Sequence, residues 1–472
     1  MAGPRGGPDW EGLQRGISGQ VVVPGSDAYQ RARPPFTAWY HDPQPQAVVR
    51  CAVPEDAAEA VAFARHHRLA IVTRSGGHSF AGYSSTTGVV IDLTPMSSVV
   101  VADGAAQVEA GTRLGELYQR LLAHGLTVPA GTCPSVGIGG LTLGGGHGIL
   151  GRAYGLTLDH LLAAQLVLAN GRLVACDQHH HPDLFWALRG AGAGNFGVVT
   201  SLTFQPRPLT RMTNFHLAWS YRHAAAVIAA WQRWAPHGPD ELAADLALTA
   251  TGEPTAEPSV EVYGAVLGTL GDAGQLLDGL MARVGADPQS QVCTELSYRD
   301  TVGYQAAPSA TGLVAAPAQC GRRGHRFTKS EFFDRPLPSQ AIAALLDNLA
   351  KRRRPGQDRS LGFAPWGGAY NRRSPQATAF AHRSQLFLLE HLVVVDPGAA
   401  GQELRAAYQW VRRSWASVHR WGSGRVYPNF PDPELDDWGW AYYRENYARL
   451  RQVKATYDPN GVFRFQQSLP TR

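Results

Sequence analysis

Two hydrophobic periods alternate along the N-terminal part of the chain. In Glu55–His67 the apolar residues recur at helical spacing, which predicts an amphipathic helix, and Leu114–His124 has the same pattern. Leu69–Val72 and Val89–Leu93 are short apolar runs of the kind that form buried strands. Two further apolar runs flank Asn170–Gly171, a dipeptide that favours a hairpin turn. The pattern therefore predicts alternating helices and strands in this part of the chain.

The pattern changes after Pro206. His223–Trp234 and Asp272–Val284 have helical spacing, whereas Val260–Leu267 and Leu386–Val395 are typical of strands. This combination predicts a middle region of the α+β type with a broad sheet. A chain of 472 residues is also too long for one simple core, so we expect two domains.

The charge of the chain does not indicate a nucleic-acid partner. The net charge is +5, but nearly all of the positive charge is arginine, which we attribute to genome composition. The densest basic run, 351–354, precedes Pro355 and Gly356 and is interpreted as a solvated helix end or loop rather than an anion-binding patch. We therefore expect no nucleic acid among the partners.

Membrane and disulfide signals are equally weak. No segment is apolar for long enough to cross a bilayer, and residues 1–19 lack the apolar region of a secretory signal. The five cysteines are scattered and odd in number, which makes a disulfide framework improbable. These features predict a soluble, cytoplasmic protein without a membrane partner.

Candidate chemistry begins at a glycine-rich turn. This turn is the segment Arg74-Ser75-Gly76-Gly77-His78-Ser79. Its two successive glycines allow positive φ angles and bring backbone N–H groups close to a ligand, which suits a pyrophosphate. The arginine adds charge and the serines add hydroxyl donors. By itself, the segment is weak evidence and favours a surface turn that contains an incidental histidine.

A second glycine-rich segment carries a cysteine. Nine glycines fall between residues 131 and 151, among small or branched apolar residues rather than the polar residues of a linker. The backbone is therefore expected to lie in close approach to something flat. The segment is neither a Walker loop nor a dinucleotide fingerprint. Cys133 is a reactive candidate here, and its alternative is a small buried core residue.

Together the two turns resemble the flavoprotein oxidases of the vanillyl-alcohol-oxidase superfold, specifically the berberine-bridge-enzyme-like group with bicovalently attached FAD. Three further matches follow in the same order: Asp183–Gly190, Gly194–Thr200, and Tyr443–Tyr447 with Tyr457–Arg464. The similarity extends from about Pro43 to Pro470.

This resemblance implies how FAD is held. In that group the matching histidine bonds to the flavin 8α-methyl and the matching cysteine to C6, roles that fall here on His78 and Cys133. Val136 matches the position that controls oxygen access, where valine is typical of oxidases; its alternative is simple packing. The implied cofactor-binding residues are His78, Cys133, Arg74, Ser75, Gly76, Gly77, Ser79, Val136, Gly137, Gly139, Gly140, Gly144, Asn195, Gly197 and Val198.

The resemblance also implies the fold. We expect an α+β, two-domain PCMH-type FAD-binding fold with an inserted substrate domain made of an antiparallel sheet plus helices. Residues 1–206 form the first FAD-binding segment and residues 207–420 the substrate-binding domain. Residues 421–472 return to the FAD domain.

The general base is where the sequence departs from the family pattern. Many relatives carry Tyr-x-Asn-Tyr-x-Asp in a late strand, with the second tyrosine as base, whereas this chain has Phe430 at that place. Phe80 replaces a second tyrosine that is common in the pocket. A phenylalanine has no proton to exchange, so the usual tyrosine-assisted alcohol oxidation is in doubt.

Replacement bases are predicted on the strand after the His382-Arg383 motif. Counting side chains alternately from Arg383 predicts that His391 faces inward and that Glu390 faces away. His391 is therefore the first candidate, and Glu390 the alternative if the register differs by one; both can also be structural. Tyr427, on the expected strand of Phe430, is a weaker candidate, and Tyr370 can also reach the pocket.

His147 and the run 179–181 raise the question of a metal. Adjacent histidines before a proline are poorly spaced for a zinc site, so no metal is expected. The sequence thus predicts an FAD-dependent oxidase of bacterial secondary metabolism that acts on a small molecule, such as an alcohol or sugar, and on O2. The alternatives are an oxidative cyclase, desaturase or amine oxidase without a tyrosine base, and a non-redox flavin-loaded cyclase or binding protein. The oligomeric state stays open.

Overall fold

The structure is a computed structural model, which describes residues 7–208, 211–306 and 324–471. The first segment contains α1 (Trp10–Gly16), β1 (Gln20–Val22), α2 (Asp27–Ala32), β2 (Ala47–Arg50), α3 (Pro54–His66), β3 (Ile71–Arg74), β4 (Val89–Asp92), β5 (Val99–Ala102), β6 (Ala105–Glu109), α4 (Leu114–Leu122), β7 (Leu126–Thr127), α5 (Ile138–Gly144), α6 (Gly151–Tyr154), β8 (Leu161–Leu168), β9 (Leu173–Asp177), α7 (Pro182–Leu188), β10 (Gly197–Phe204) and β11 (Arg207–Pro208).

The middle segment contains β12 (Arg211–Trp219), α8 (Ala224–Trp234), β13 (Leu242–Ala250), β14 (Ser259–Val266), α9 (Leu270–Val284), β15 (Ser290–Ser297), α10 (Tyr298–Ala306), β16 (His325–Phe333), α11 (Ser339–Ala350), β17 (Gln357–Pro365), β18 (Phe387–Val395) and α12 (Gly401–Ala416). The C-terminal segment adds α13 (Trp438–Tyr443) and α14 (Tyr447–Tyr457).

Two sheets share the N-terminal core. The first has the order β1-β2-β4-β3, with parallel pairing among β2, β4 and β3, and the second is antiparallel with the order β5-β6-β10-β8-β9. Helix α3 contacts both sheets, and its buried alanines pack against strand residues of each. The start of α3 is fixed by Asp56, whose carboxylate accepts from the N–H groups of Ala52 and Val53. The predicted hairpin at Asn170–Gly171 is confirmed as β8–β9.

The middle segment forms one seven-stranded antiparallel sheet with the order β15-β12-β14-β13-β17-β18-β16. Strand β13 shows why the sheet has two different faces. Leu242, Leu246 and Leu248 belong to the core formed with the helices of this segment, whereas Asp245 and Thr249 point to the other side. That other side faces the N-terminal core and forms a wall of the candidate site.

The C-terminal segment packs against the N-terminal core. Lys454 of α14 donates to the carbonyl oxygens of Asn195 and Phe463 and forms a buried ion pair with Asp458 at 2.7 Å. Asp458 in turn accepts from the N–H of Phe463. These contacts follow from the motif that the resemblance singled out, and the exact boundaries at 206/207 and 420/421 stay a prediction. Among the described helices, none combines the length and apolar character that crossing a membrane needs.

Two local predictions were wrong. The glycine-rich segment after Cys133 is not simply a turn, because Ile138–Gly144 forms helix α5. Tyr427 and Phe430 do not share a strand; Phe430 N–H donates to the carbonyl of Tyr427 at 2.8 Å, so the two residues close a turn. Pro428 lies inside that turn and favours it over an extended strand.

Candidate active site

A cavity of about 490 Å³ lies between the glycine-rich segments of the N-terminal core and the open face of the seven-stranded sheet. Its N-terminal wall includes both glycine-rich segments, and its opposite wall comes from β13, β14, β17 and β18. Aromatic side chains from the C-terminal segment close one side, among them Tyr427 and Phe430.

The two glycine-rich turns predicted from the sequence meet at this cavity. The Nε2 atom of His78 lies 3.0 Å from the Oγ of Ser135, on the turn that also carries Cys133. A Cβ atom on Gly76 would lie 2.2 Å from the backbone nitrogen of Gly137, so only glycine permits this approach. The structure therefore brings both predicted anchors, which are far apart in sequence, to one rim of the cavity.

His78 is held as a neutral imidazole. Burial, together with the positive charges of Arg326 and Arg113, lowers the pKa of His78 to about 4. Its ring stacks on Phe36 at a centroid distance of 3.9 Å, which fixes the ring plane. A neutral ring nitrogen with a fixed orientation keeps a lone pair available for bond formation.

Cys133 lines the cavity but is disulfide-bonded in the structure. Cys51, Cys176 and Cys293 are free, and Cys320 lies outside the described residues. The sequence made a disulfide framework improbable, and one disulfide is nevertheless present. A thioether to a cofactor needs this sulfur as a thiol, so such a bond requires that the disulfide is first reduced.

The first turn fits a pyrophosphate through its backbone. Between Gly76 and Ser79, no backbone N–H donates to an acceptor in the described parts of the chain. Gly77 has a φ of 74°, the conformation that lets successive N–H groups point to one side. The buried Oγ of Ser84, which also lines the cavity, has no hydrogen-bond partner there either. Unsatisfied donors around this cavity fit the phosphates and hydroxyls of FAD.

The polar side chains of this turn act differently from the prediction. The guanidinium of Arg74 donates to the carbonyl oxygens of Ala32, Arg33 and Ser84, so its charge anchors the loop rather than a phosphate. Ser75 donates to a carbonyl of the N-terminal core, and the Oγ of Ser79 accepts from a nearby N–H. These three side chains therefore shape the turn and leave ligand contacts to the backbone.

Most other predicted cofactor residues line the cavity; these are Val136, Gly137, Gly139, Gly140, Asn195 and Gly197. Two do not. A Cβ atom on Gly144 would lie 2.2 Å from the Oδ1 of Asn429, so this glycine serves packing. Val198 is buried in the N-terminal core on β10. Strand alternation turns Val198 away from the cavity that its neighbour Gly197 faces.

The predicted inward position of His391 was wrong. His391 is fully buried on the helix side of β18, where its Nδ1 lies 2.9 Å from the Oγ of Ser414. Burial and the charge of Lys329 lower the pKa of His391 to about 3. The register differed because β18 begins only at Phe387, so alternation does not run from Arg383.

Glu390 faces the cavity instead. It pairs across the sheet with Gly362, and a Cβ atom on that glycine would lie 3.8 Å from the Oε2 of Glu390. The absence of a side chain at residue 362 leaves the carboxylate accessible from the cavity. Glu390 is 6% exposed, so it is a nearly buried acid on the substrate-side wall.

Tyr427 lines the cavity, but its hydroxyl is already engaged. It accepts from the N–H of Gly146 at 2.7 Å and from the amide of Asn429 at 3.1 Å. Burial raises the pKa of Tyr427 to about 12, so the phenol stays protonated at neutral pH. This tyrosine holds the glycine-rich segment in place and is a poor proton acceptor.

The two phenylalanines that depart from the family pattern are in contact. The rings of Phe80 and Phe430 stack at 4.8 Å between centroids with 14° between planes. His147 packs edge-on against Phe430, and burial lowers the pKa of this histidine to about 4. Tyr370 reaches the cavity as expected, with its hydroxyl bonded to the backbone of Gly148. An apolar ring pair thus stands at the two positions where the resemblance implies tyrosines.

Sequence reasoning missed two carboxylates of the cavity, Asp245 of β13 and Asp358 of β17. Burial raises the pKa of Asp245 to about 7, which is the range of a proton-exchanging group. A signal was present in the sequence, since Asp245 stands among alanines on the polar side of an alternating strand, 242–250. Without the strand pairing, nothing indicated that this side faces a cavity.

The remaining basic and histidine runs have local roles. Arg353 of the basic run 351–354 donates to the carbonyls of Pro254 and Ala256, which agrees with a loop. His180 of the run 179–181 contacts the carboxylate of Asp177 at the surface. No cluster of three metal-ligating side chains occurs within 7–208, 211–306 and 324–471.

Two family models match the chain. The model described as an FAD binding domain matches residues 45–177, and the model described as berberine and berberine like matches residues 426–470. These ranges contain both glycine-rich segments and the returning C-terminal segment. Fold and site together define an FAD-binding oxidoreductase.

Similar proteins agree over nearly the whole chain. An uncharacterized FAD-linked oxidoreductase of Bacillus subtilis (strain 168), YgaK, is 34% identical over 462 residues, covering 96% of this chain and 97% of the relative. Chitooligosaccharide oxidase of Gibberella zeae is 31% identical over 440 residues, covering 89% and 86%. The structure of Physcomitrella patens BBE-like 1 has a TM-score of 0.87 at 28% identity, covering 98% of this chain and 99% of that one. The chain belongs to the berberine-bridge-enzyme-like family of FAD-linked oxidoreductases, and the predicted fold class is confirmed.

Proposed function

We propose that this enzyme is an FAD-dependent oxidase that takes a hydride from a small-molecule substrate and reduces O2 to H2O2, with the flavin bound covalently through His78 and Cys133. The meeting of the two glycine-rich turns carries this proposal, because His78 Nε2 lies 3.0 Å from Ser135 on the turn of Cys133. Two reactive side chains on one rim can both bond to one ring system. A tailoring role in bacterial secondary metabolism stays a prediction.

His78 and Cys133 differ in what each needs before it can bond to the flavin. His78 is neutral at physiological pH because its pKa is lowered by burial and by Arg326 and Arg113, so it can attack without first losing a proton to another base. Cys133 has to be released from its disulfide before it can bond to the flavin. We therefore expect complete attachment only in protein that is kept reduced.

When bound, FAD accepts the hydride and delivers the electrons to O2. A side chain of the protein has to accept the proton that a substrate hydroxyl loses. Glu390 fits this role best, because it lies on the cavity wall that faces the flavin-binding turns. Phe80 and Phe430 supply no proton acceptor; their stacked rings exclude water from the cavity.

The stacked phenylalanines favour a second candidate reaction within the same class. Amine oxidation, desaturation or oxidative cyclisation needs no tyrosine base; in amine oxidation, for example, the nitrogen lone pair assists the departure of the hydride. In that case Glu390 positions the substrate rather than accepting its proton. The two candidates differ in the substrates that reduce the flavin.

Oxygen access is proposed to depend on Val136. This side chain is partly exposed and lines the cavity beside the glycine-rich segment. A small residue there leaves a path for O2, whereas a larger one fills it. The replacement Val136→Leu is therefore a matched test of oxygen reactivity that leaves the substrate side unchanged.

The holoenzyme, mixed without oxygen with panels of alcohols, sugars and amines, should lose its oxidised flavin absorbance with at least one class. Admitting air should restore the colour within seconds and produce one H2O2 per turnover. Val136→Leu should slow recolouring by about tenfold without changing the bleaching rate. Bleaching followed by recolouring over many minutes in the wild type would identify a dehydrogenase and contradict the oxidase proposal.

A further inference from the structure

Part of the sheet-side wall of the cavity is built from alanine and glycine. The members of this set are Ala243, Ala247, Gly264, Gly362 and Ala364. Beside them stand polar side chains that have not been assigned a role; these are Asp245 and Thr249 of β13, Tyr263 of β14, and Asp358 and Ser360 of β17. A wall of alanine and glycine that also carries polar groups is suited to a flat substrate that is bound by a polar contact at one place.

Asp245 and Tyr263 are directly opposite each other on neighbouring strands. Neither side chain has a hydrogen bond or ion pair with any other part of the described chain. Tyr263 is only 7% exposed, and its pKa is raised by burial and by the charge of Asp245, so its hydroxyl stays protonated. A buried hydroxyl and a partly exposed carboxylate that face one cavity without partners normally indicate that a ligand completes them.

Within the described residues, no cation forms an ion pair with Asp245. Arg152 also lines the cavity, but its guanidinium is used by backbone carbonyls, including those of Leu242 and Pro236. The other acids and phenols on this wall are Asp358, Glu390, Tyr263 and Tyr370. Arg326 of β16 lies on the same face of the sheet and acts on Glu390 and His78, whereas burial alone shifts the pKa of Asp245. The electrostatic environment of Asp245 therefore favours a positive ligand.

Asp245 and Glu390 are separated by the width of a small ring system. Ala247, Gly362 and Glu390 lie in one cross-strand row, and Asp245 is the next residue on the same face of its strand. Strand spacing and rise put the Cα atoms of Asp245 and Glu390 about 12 Å apart. The wall between these two side chains consists of Ala247 and Gly362, so a substrate ring can lie between the two carboxylates.

We propose that Asp245 and Tyr263 bind a protonated amine of the substrate, at a point remote from the carbon that is oxidised. The substrate class is thus a cationic small molecule whose ammonium group lies on the sheet side of the cavity while its reacting carbon faces the turns of His78 and Cys133. This inference rests on the proposed oxidase function and adds the substrate class to it.

A neutral hydroxyl would bind Asp245 in either protonation state, whereas an ammonium needs the carboxylate. Because burial raises the pKa of Asp245 to about 7, affinity for a cation should rise as pH increases through this value. Affinity for a neutral alcohol of the same shape should stay nearly constant. The pH profile therefore separates an amine site from a polyol site.

The test is calorimetric titration of the holoenzyme with 2-phenylethylammonium and with 2-phenylethanol between about pH 6 and 8. The ammonium probe should bind more tightly at the upper pH, and Asp245→Asn should weaken it about tenfold or more and remove the pH dependence. Tyr263→Phe should weaken it less, and the matched control Asp278→Asn, at an exposed position of α9 outside the cavity, should leave it within about twofold.

Equal affinity for the two probes, or an ammonium affinity unchanged in Asp245→Asn, would overturn the proposal. Calorimetry detects binding without turnover, so this failure is distinct from failure of the oxidase function. The same preparations are checked for flavin content after denaturation, which reports the proposed function separately. Tyr263→Phe keeps the proposal testable if Asp245→Asn does not fold.

Discussion

Replacing Glu390 by glutamine is expected to slow anaerobic flavin reduction by an alcohol substrate by about 10²–10⁴-fold, with the flavin still attached. Glutamine has nearly the same shape as glutamate but cannot accept a proton. Glu390 faces the cavity over Gly362, so the change removes the acid without filling space. Stopped-flow absorbance of the oxidised flavin measures the rate directly.

The neighbouring His391 provides the matched control. His391 lies on the opposite face of β18, bonded to Ser414 and fully buried. His391→Asn should lower thermal stability but leave flavin reduction within about threefold of wild type. Equal losses of rate in both variants, or none in Glu390→Gln, would show that Glu390 is not the base.

Arg152→Met should destabilise the fold by at least about 3 kcal/mol and disturb the cavity. Arg152 belongs to α6 in the N-terminal core, but its guanidinium donates to five carbonyls of the middle segment: those of Pro236, Gly238, Pro239, Leu242 and Trp366. Removing it leaves these buried acceptors without a donor. Thermal and denaturant unfolding of the holoenzyme measure the loss.

Arg152→Lys tests whether the stability depends on the positive charge of Arg152 or on the directions of its hydrogen bonds. Lysine keeps the positive charge but cannot donate to carbonyls on several sides at once, so it should recover less than half of the lost stability. Burial lowers the pKa of Arg152 to about 10, which still leaves it charged at neutral pH. Full recovery by lysine, or a wild-type melting temperature for Arg152→Met, would show that this contact does not join the two parts of the chain.

The cofactor side of the site could be predicted from the sequence because its information is local. The glycines around His78 and Cys133 by themselves indicate a close approach of two backbone segments, since such an approach leaves no space for a larger residue. What local spacing could not show is how Arg74 uses its charge. Its partners, the carbonyls of Ala32, Arg33 and Ser84, come from segments that only the fold brings together.

The substrate side could not be predicted because it depends on strand register. One irregular stretch before Phe387 was enough to exchange the faces of Glu390 and His391. The contact between Phe80 and Phe430 joins residues about 350 positions apart and leaves no trace in either local pattern. Asp245 became a candidate only when its pairing placed it opposite Tyr263 on the cavity wall.

Intact-mass measurement after acid denaturation tests the covalent attachment of FAD most directly. Protein prepared under reducing conditions should carry the mass of one FAD and stay yellow in the precipitate. His78→Ala and Cys133→Ala should each retain the flavin through the other bond, and the double variant should release it. Wild-type protein with the mass of the bare chain and a colourless precipitate would contradict the account.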